Sequence, residues 1–451
     1  MRRPSPTSAT TAPSSATPAR SFALRRAAAA ALLLTLAAAC KASGDARTVP
    51  GTTTDSASAT RPVSSADSGA SGASTAALAP TPLGAAPAIR ALYVNRFAAQ
   101  STKKLRHLVA VADSTEINAL VIDMKDEFGL NYHSANPSFE KNGGNMTKLP
   151  NVRALLDTLK AHDILPIARI VVFKDSVTAR VNPQWTIRQA DGSIWRDHKG
   201  LAWVNPYHRE LWDYNIGVAE ELVKMGFGEV QFDYIRFPEP YKSLPPQVFP
   251  DAGNRQKPET LAEFLRTARG RLSKLGVRTT ADIFGLVTTV SGALEVGQDW
   301  EKLAPVTDVL LPMTYPSHYP PGSFGIPRPN AAPYKTINIA IARAHQRDDK
   351  LGIAGEHVRP WLQAFTLGAP RYGAEEMRQQ KQAVYDAGYD GWVWWSPGSN
   401  YDIFLPALEK TFVSRKKPWK AAAAAATTAA ASAPTPNESI AATRLEAAKK
   451  P

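Results

Sequence analysis

Cysteine is nearly missing: there is one, Cys40, in a chain of 451 residues. No intrachain disulfide is possible, and no cysteine pair exists to hold a metal. Histidine is sparse, at eight, and no His-x-x-x-His stands near a carboxylate, so a zinc centre has few donors. No Gly-x-Ser-x-Gly elbow occurs, and no glycine-rich loop ends in Lys-Ser or Lys-Thr. Those absences remove the exposed serine nucleophile and the phosphate-cradling loop. Long apolar runs are lacking too. Ala27–Ala39, broken only by Thr35, is thirteen residues long, too short for a spanning helix, which takes roughly 20.

Positive charge is in excess, at a formal +13, which by itself suggests an anionic partner. Its distribution argues otherwise. Residues 1–88 hold eight Lys/Arg against three Asp/Glu, and residues 411–451 hold seven against two. Each end therefore carries +5, leaving +3 for everything between. A nucleic-acid role for the folded part has no support in that pattern.

Residues 1–40 read as an export signal. Arg20, Arg25 and Arg26 precede the short apolar run, which ends Leu36-Ala-Ala-Ala-Cys40. This resembles a bacterial lipobox, with Ala37 where Leu is usual, and predicts lipidation of Cys40 and a membrane anchor. Cleavage after an Ala-x-Ala by the ordinary secretory route is the alternative. Arg25-Arg26 fits a twin-arginine signal poorly. Residues 41–88, rich in Ser, Thr, Ala, Gly and Pro, have no hydrophobic period and read as a flexible linker. Residues 413–451, basic and then alanine-rich, read as a disordered tail.

Between these ends, short apolar runs alternate with amphipathic segments. Strands are predicted at Ile89–Asn95, Ala119–Lys125, Leu165–Phe173, Glu229–Phe237, Arg278–Phe284, Asp308–Tyr315, within Leu351–Gln363, and at Gly391–Trp395. Helices are predicted near Thr102–Ser114, Val152–His162, Tyr207–Met225, Glu259–Leu275, Tyr334–Gln346 and Ala374–Ala387. Eight units within 89–412 predict a (β/α)8 TIM barrel with a long insertion after the third strand. A doubly wound open sheet is the alternative. It calls for a glycine-rich turn after the first strand, whereas Asn95-Arg96-Phe97-Ala98-Ala99-Gln100 has no glycine. The same absence speaks against a nucleotide, and no cofactor is predicted. An oxygen-ligated cation at Asp123–Glu127 is the one metal alternative.

The stretch Glu229–Pro240 organises the rest. Its strand alternates and carries Asp233 near its carboxyl end, where barrel enzymes place their chemistry. At the other strand ends lie Asp123, Lys125 and Asp126, Arg169, Arg236, Asp282, Tyr315 with His318, Trp361 and Gln363, and Trp394 with Trp395. Asp123 and Lys125, two apart, are expected on one face. Carboxylates, cations and aromatics in one rim suit a carbohydrate, because glycosidic hydrolysis needs one protonated and one ionised carboxyl. Trp185, Trp195 and Trp203 in the insertion are expected to wall a groove. Simpler roles compete: a buried Asp123–Lys125 pair, loop-anchoring by Asp282, a helix N-cap at Asp299.

Seven stretches together resemble a bacterial glycoside-hydrolase-type domain family first catalogued without a function. They are Val121-Ile-Asp-Met-Lys-Asp126, Ile167–Asp175, Val204-Asn-Pro206, Gln231-Phe-Asp-Tyr-Ile-Arg-Phe-Pro238, Gly297-Gln-Asp299, Pro312–Tyr319 and Arg359–Phe365. The resemblance implies a TIM-barrel glycosidase acting on a polysaccharide and assigns no acid–nucleophile pair. From the residues, Asp233 and Asp282 are the expected catalytic carboxyls, with Asp123 and Asp126 as alternates. Lys125, Arg169, Arg236, Tyr315, Trp361, Gln363, Trp394 and Trp395 are the expected substrate contacts. A barrel that binds a polysaccharide without cutting it is the second expectation.

Overall fold

The computed structural model describes residues 83–419. The signal-type segment, Cys40, nearly all of the linker and the tail from 420 onward lie outside the described residues. The strands are β1 (Arg90–Val94), β2 (Ala119–Asp126), β3 (Gly129–Leu130), β4 (Leu165–Val171), β5 (Glu229–Asp233), β6 (Arg278–Phe284), β7 (Val309–Met313), β8 (Trp361–Gln363) and β9 (Trp392–Trp395). All except β3 run parallel, in the order β1-β9-β8-β7-β6-β5-β4-β2, and β1 also pairs with β2. The sheet therefore closes into an eight-stranded barrel with helices between the strands. β3 is a two-residue antiparallel return on the end of β2.

Period-two alternation divides each strand between two cores. Ala91, Tyr93, Val121, Ile167, Leu311, Trp361, Val393 and Trp395 meet inside the barrel. Leu92, Val94, Ile122, Ile170, Phe232, Ile283, Leu362 and Trp394 pack outward against the helices. The predicted helices are present with shifted ends, for example Lys257–Leu272 and Pro333–Leu351.

Three expectations are corrected. β2 carries a bulge: Asp123 pairs with Arg169, but Lys125 pairs with the next residue, Ile170. The extra residue breaks the alternation, so Lys125 faces away from Asp123. Its ammonium lies 2.7 Å from Asp175 Oδ2 and donates to the Val171 carbonyl at 2.6 Å, fully buried. β5 stops at Asp233 rather than Phe237, because Tyr234 takes a left-handed φ of 53° and turns the chain. The insertion after β4 folds on itself through the bridges Thr186–Val204, Arg188–Ile194 and Arg196–Ala202. Trp195 and Trp203 are buried in it. Their indole N–H groups donate to the Pro245 carbonyl and to Asp197 Oδ2, at 2.9 and 3.0 Å. Both are core residues rather than an open wall, Trp203 meeting the Tyr234 ring edge-on at 5.9 Å, while Trp185 is half-buried.

The amino-terminal end of the barrel is held by buried charge. Arg359 is bidentate on Glu229, at 2.6 and 3.2 Å. Arg90 joins Glu116 (2.5 Å) to Asp390 (3.2 Å), and Lys381 also grips Glu116. The fold runs past 412. The Val413 carbonyl accepts from Arg90, the amides of Arg415 and Lys416 donate to Asp390, and Lys416 Nζ sits 2.7 Å from Glu356. Trp419 stacks on His345 with ring centres 4.0 Å apart. Arg415 and Lys416 read as tail because these partners lie 25 to 60 positions away.

Removing one member of a buried pair strands the other charge. Arg359→Met is expected to cost about 3–5 kcal/mol in urea denaturation, and adding Glu229→Gln is expected to recover part of that loss.

Candidate active site

The carboxyl ends of β2, β4, β5 and β6 are consecutive around the barrel. Asp123, Arg169 and Gln231 occupy one level, through the pairings Asp123–Arg169 and Arg169–Gln231. Phe232 and Ala281 are the last register partners of β5 and β6. The residues that follow, Asp233 and Asp282, therefore stand side by side on strands roughly 4.8 Å apart.

Arg169 is the hub. Its Nη1 donates to Asp123 and its Nη2 to Asp233, while Nε lies 3.7 Å from Asp282 Oδ2. The guanidinium is under one-tenth exposed and lies over the Tyr93 ring, 5.5 Å from its centre. The Tyr93 hydroxyl donates to Asp123. The Tyr234 amide donates to Asp233 Oδ1 at 2.5 Å, a contact that the left-handed turn at Tyr234 permits. Asp282 Oδ1 accepts from Gln231 Nε2 (2.8 Å) and Trp361 Nε1 (2.7 Å); its Oδ2 accepts no hydrogen bond among the described residues.

The carboxyls differ in their surroundings. Burial pushes Asp282 well above the usual carboxylate range, and the charge of Asp233 pushes it further; Arg169, Trp361 and Gln231 oppose this. Burial raises Asp123 too, against Arg169 and the Tyr93 hydrogen bond. Asp126, further up the rim, is raised to about 7 by burial, against its 2.7 Å contact with Arg96 Nε. Tyr315 is held protonated by burial and by Asp282 and Asp233.

Aromatics flank the carboxyls. Tyr315 stacks on Trp395 at 5.1 Å, and Phe365 meets both edge-on. Trp361 meets Tyr93 edge-on at 5.9 Å. Arg236 lies 5.0 Å from the centre of the Trp203 ring and 2.9 Å from Glu239 Oε2. Asp233, Asp282, Asp123, Arg169, Tyr315, Trp361 and Trp395 thus come together, with Arg236 and Asp126 at the margin. Trp394 and Lys125 do not join them. Trp394 faces the helices, stacked on Trp392 at 5.4 Å. Gln363 braces a loop: its Oε1 accepts from the Ser317 amide, and its Nε2 donates to the Phe365 carbonyl. Asp299 caps the helix Trp300–Leu303. The sequence reading missed Tyr93 and Phe365, although Tyr93 is the last inward position of β1 by the same alternation that exposes Ala91.

Among the described residues no three histidine, cysteine or carboxylate side chains are arranged to hold a metal; the Arg169 guanidinium supplies the positive charge among the three aspartates.

A closed (β/α)8 barrel with side-by-side carboxyls and an aromatic flank at its carboxyl end is a barrel of the glycoside hydrolase type. The chain belongs to the family described as "Putative glycosyl hydrolase domain", whose profile matches residues 91–401. A crystal structure of a hypothetical protein from Ruminiclostridium thermocellum ATCC 27405 is 37% identical, over 42% of this chain and 96% of that one, with a TM-score of 0.39. The PgaB (BpsB) glycoside hydrolase domain from Bordetella bronchiseptica is similar in fold: 14% identity, 72% of this chain and 99% of that one, TM-score 0.50. No curated protein matches the sequence.

Asp126 gives a pH test. The fold keeps its proton up to about pH 7, while an unfolded chain releases it near 4. The stability it contributes is present below that lower value and is lost as pH rises through about 7. The urea midpoint should therefore fall across this window, and Asp126→Asn should flatten that part of the profile.

Proposed function

We propose that the chain hydrolyses O-glycosidic bonds in a polysaccharide of the cell envelope or its surroundings, with Asp282 as general acid and Asp233 as nucleophile or base. The observation that carries this reading is the register-adjacent pair on one arginine, with unlike surroundings. Asp233 makes a direct charged contact with Arg169 and accepts a backbone amide. Asp282 is 1% exposed and only grazes the guanidinium. A low-dielectric site disfavours two adjacent carboxylates, so one retains its proton.

In the proposed reaction the Asp282 proton passes to the glycosidic oxygen as the bond to the anomeric carbon breaks. Asp233 attacks that carbon or takes a proton from the attacking water; one water is consumed per bond and both carboxyls return to their starting states. Asp123, fixed by Tyr93, shares the guanidinium and so limits how far Arg169 can draw the proton from Asp282. Tyr315, Trp395 and Phe365 supply apolar faces for a sugar ring. A barrel that only binds glycan is favoured if Asp233 stands alone; Asp282 beside it supports catalysis. We place the protein outside the cytoplasm, tethered through a lipid on Cys40, on the strength of the lipobox-like run.

The test is release of reducing sugars from peptidoglycan and a panel of polysaccharides by the wild type, Asp233→Asn and Asp282→Asn. Each variant should fold and lose about 10²–10⁴-fold in turnover; a folded Asp233→Asn protein with full activity removes the assignment. In kcat/KM against pH, the alkaline limb should belong to Asp282, which must carry its proton.

A further inference from the structure

Three large apolar side chains stand in solvent beyond the carboxyl ends of β1 and β2. Phe97 is 58% exposed, Phe128 43% and Met146 39%. They come from three segments: the short helix after β1, the return between β2 and β3, and the loop that follows. Arg96 ties all three segments together. Its Nε contacts Asp126, its Nη2 donates to the Gly129 carbonyl (2.8 Å) and its Nη1 to the Thr147 carbonyl (3.4 Å). Gln100 adds a second tie to the Thr147 carbonyl at 2.7 Å. The backbone itself is closely packed: a Cβ on Gly129 would lie 2.4 Å from the Gly143 carbonyl oxygen, and one on Gly144 2.2 Å from that of Phe128. The exposed rings thus sit on a rigid support.

That support continues into the catalytic level. Asn131 donates to the Asp123 carbonyl at 2.9 Å and accepts from Gln100 at 2.7 Å. Gln100 closes the short helix Arg96–Gln100 that carries Phe97. Phe97 and Phe128 leave about half of their apolar surface in solvent, beside that of Met146. The three side chains offer on the order of 300 Å² of apolar surface, well short of the roughly 800 Å² per partner of a stable protein interface. A sugar ring, with one apolar face and a polar edge, matches such a surface in size.

We propose that Phe97 and Phe128, flanked by Met146, form an outer glycan-binding ledge that holds a polysaccharide chain as it leaves the cleft, so that the enzyme acts on polymers rather than short oligosaccharides. This rests on the hydrolase reading for its direction, but it is tested by binding, which needs no turnover. The ledge lies beyond β1 and β2, at the same end of the barrel as the Asp233–Asp282 pair on β5 and β6, and β1 is the direct neighbour of β9, which carries Trp395.

The experiment uses the full chain carrying Asp233→Asn, with and without Phe97→Ala and Phe128→Ala. Affinity electrophoresis measures retention by glycol chitosan, xylan and carboxymethylcellulose, and titration measures affinity for chitobiose, xylobiose and cellobiose. The expected result is retention by at least one polymer and at least a tenfold fall, in the double-alanine protein, in the ratio of polymer to disaccharide affinity. Phe97→Tyr with Phe128→Tyr should restore the ratio, and Phe97→Leu with Phe128→Leu should not, since Leu keeps apolar area without a flat face. No retention by any of the polymers, an unchanged ratio, equal rescue by leucine, or a change of oligomeric state in the double-alanine protein would each overturn the ledge. A wild-type protein that binds through these rings and cuts nothing keeps the ledge and removes the hydrolase reading, so the two failures are distinguishable.

Discussion

One guanidinium shared among three aspartates is the constraint on which the rest of the site depends. Arg169 contacts Asp123 and Asp233 directly and reaches Asp282 only at 3.7 Å. A single positive charge in a dry site does not keep three neighbouring carboxyls ionised. The proton remains where burial is greatest and the cation least engaged, and that place is Asp282. In the proposed reaction, this unequal division of one charge is what lets adjacent carboxyls take the different roles that glycosidic chemistry asks of them.

The division holds only if the strands keep their positions. Asp123, Arg169, Asp233 and Asp282 come from four neighbouring strands, and a slip of one residue in any of them turns its side chain to the helices. The closed barrel resists such slips. Its amino-terminal end is locked by Arg359 on Glu229 and by Arg90 between Glu116 and Asp390, with the segment through Trp419 laid across the same charges. The buried ion pairs are concentrated at one end and the proposed chemistry at the other, the arrangement of barrels generally. The carboxyl end departs from ideal geometry where its side chains must be aimed: the bulge in β2 and the left-handed turn at Tyr234 flank Arg169 from either side.

Much of this was legible beforehand. Period-two runs alternating with amphipathic segments marked eight strands and the ends at which polar residues gather. Asp233, Asp282, Arg169, Tyr315, Trp361 and Trp395 were read from those ends and lie together. Trp394 was read with them and lies on the other face, since alternation in Trp392–Trp395 permits only one of two consecutive tryptophans to point inward. Lys125 failed for the opposite reason: the alternation that would have placed it was broken by a bulge with no mark in composition.

The sequence by itself determined the class of fold, the strand ends and the residue types available there, because side-chain periodicity and the hydrophobic content of each run are local properties. Only the tertiary structure decided which carboxyls are neighbours, that Arg169 belongs to three of them, that Trp195 and Trp203 of the insertion are buried, and that residues 413–419 belong to the fold. Each of these depends on register between strands or on charges tens of residues apart, and such pairings acquire energy only once the barrel has closed around them.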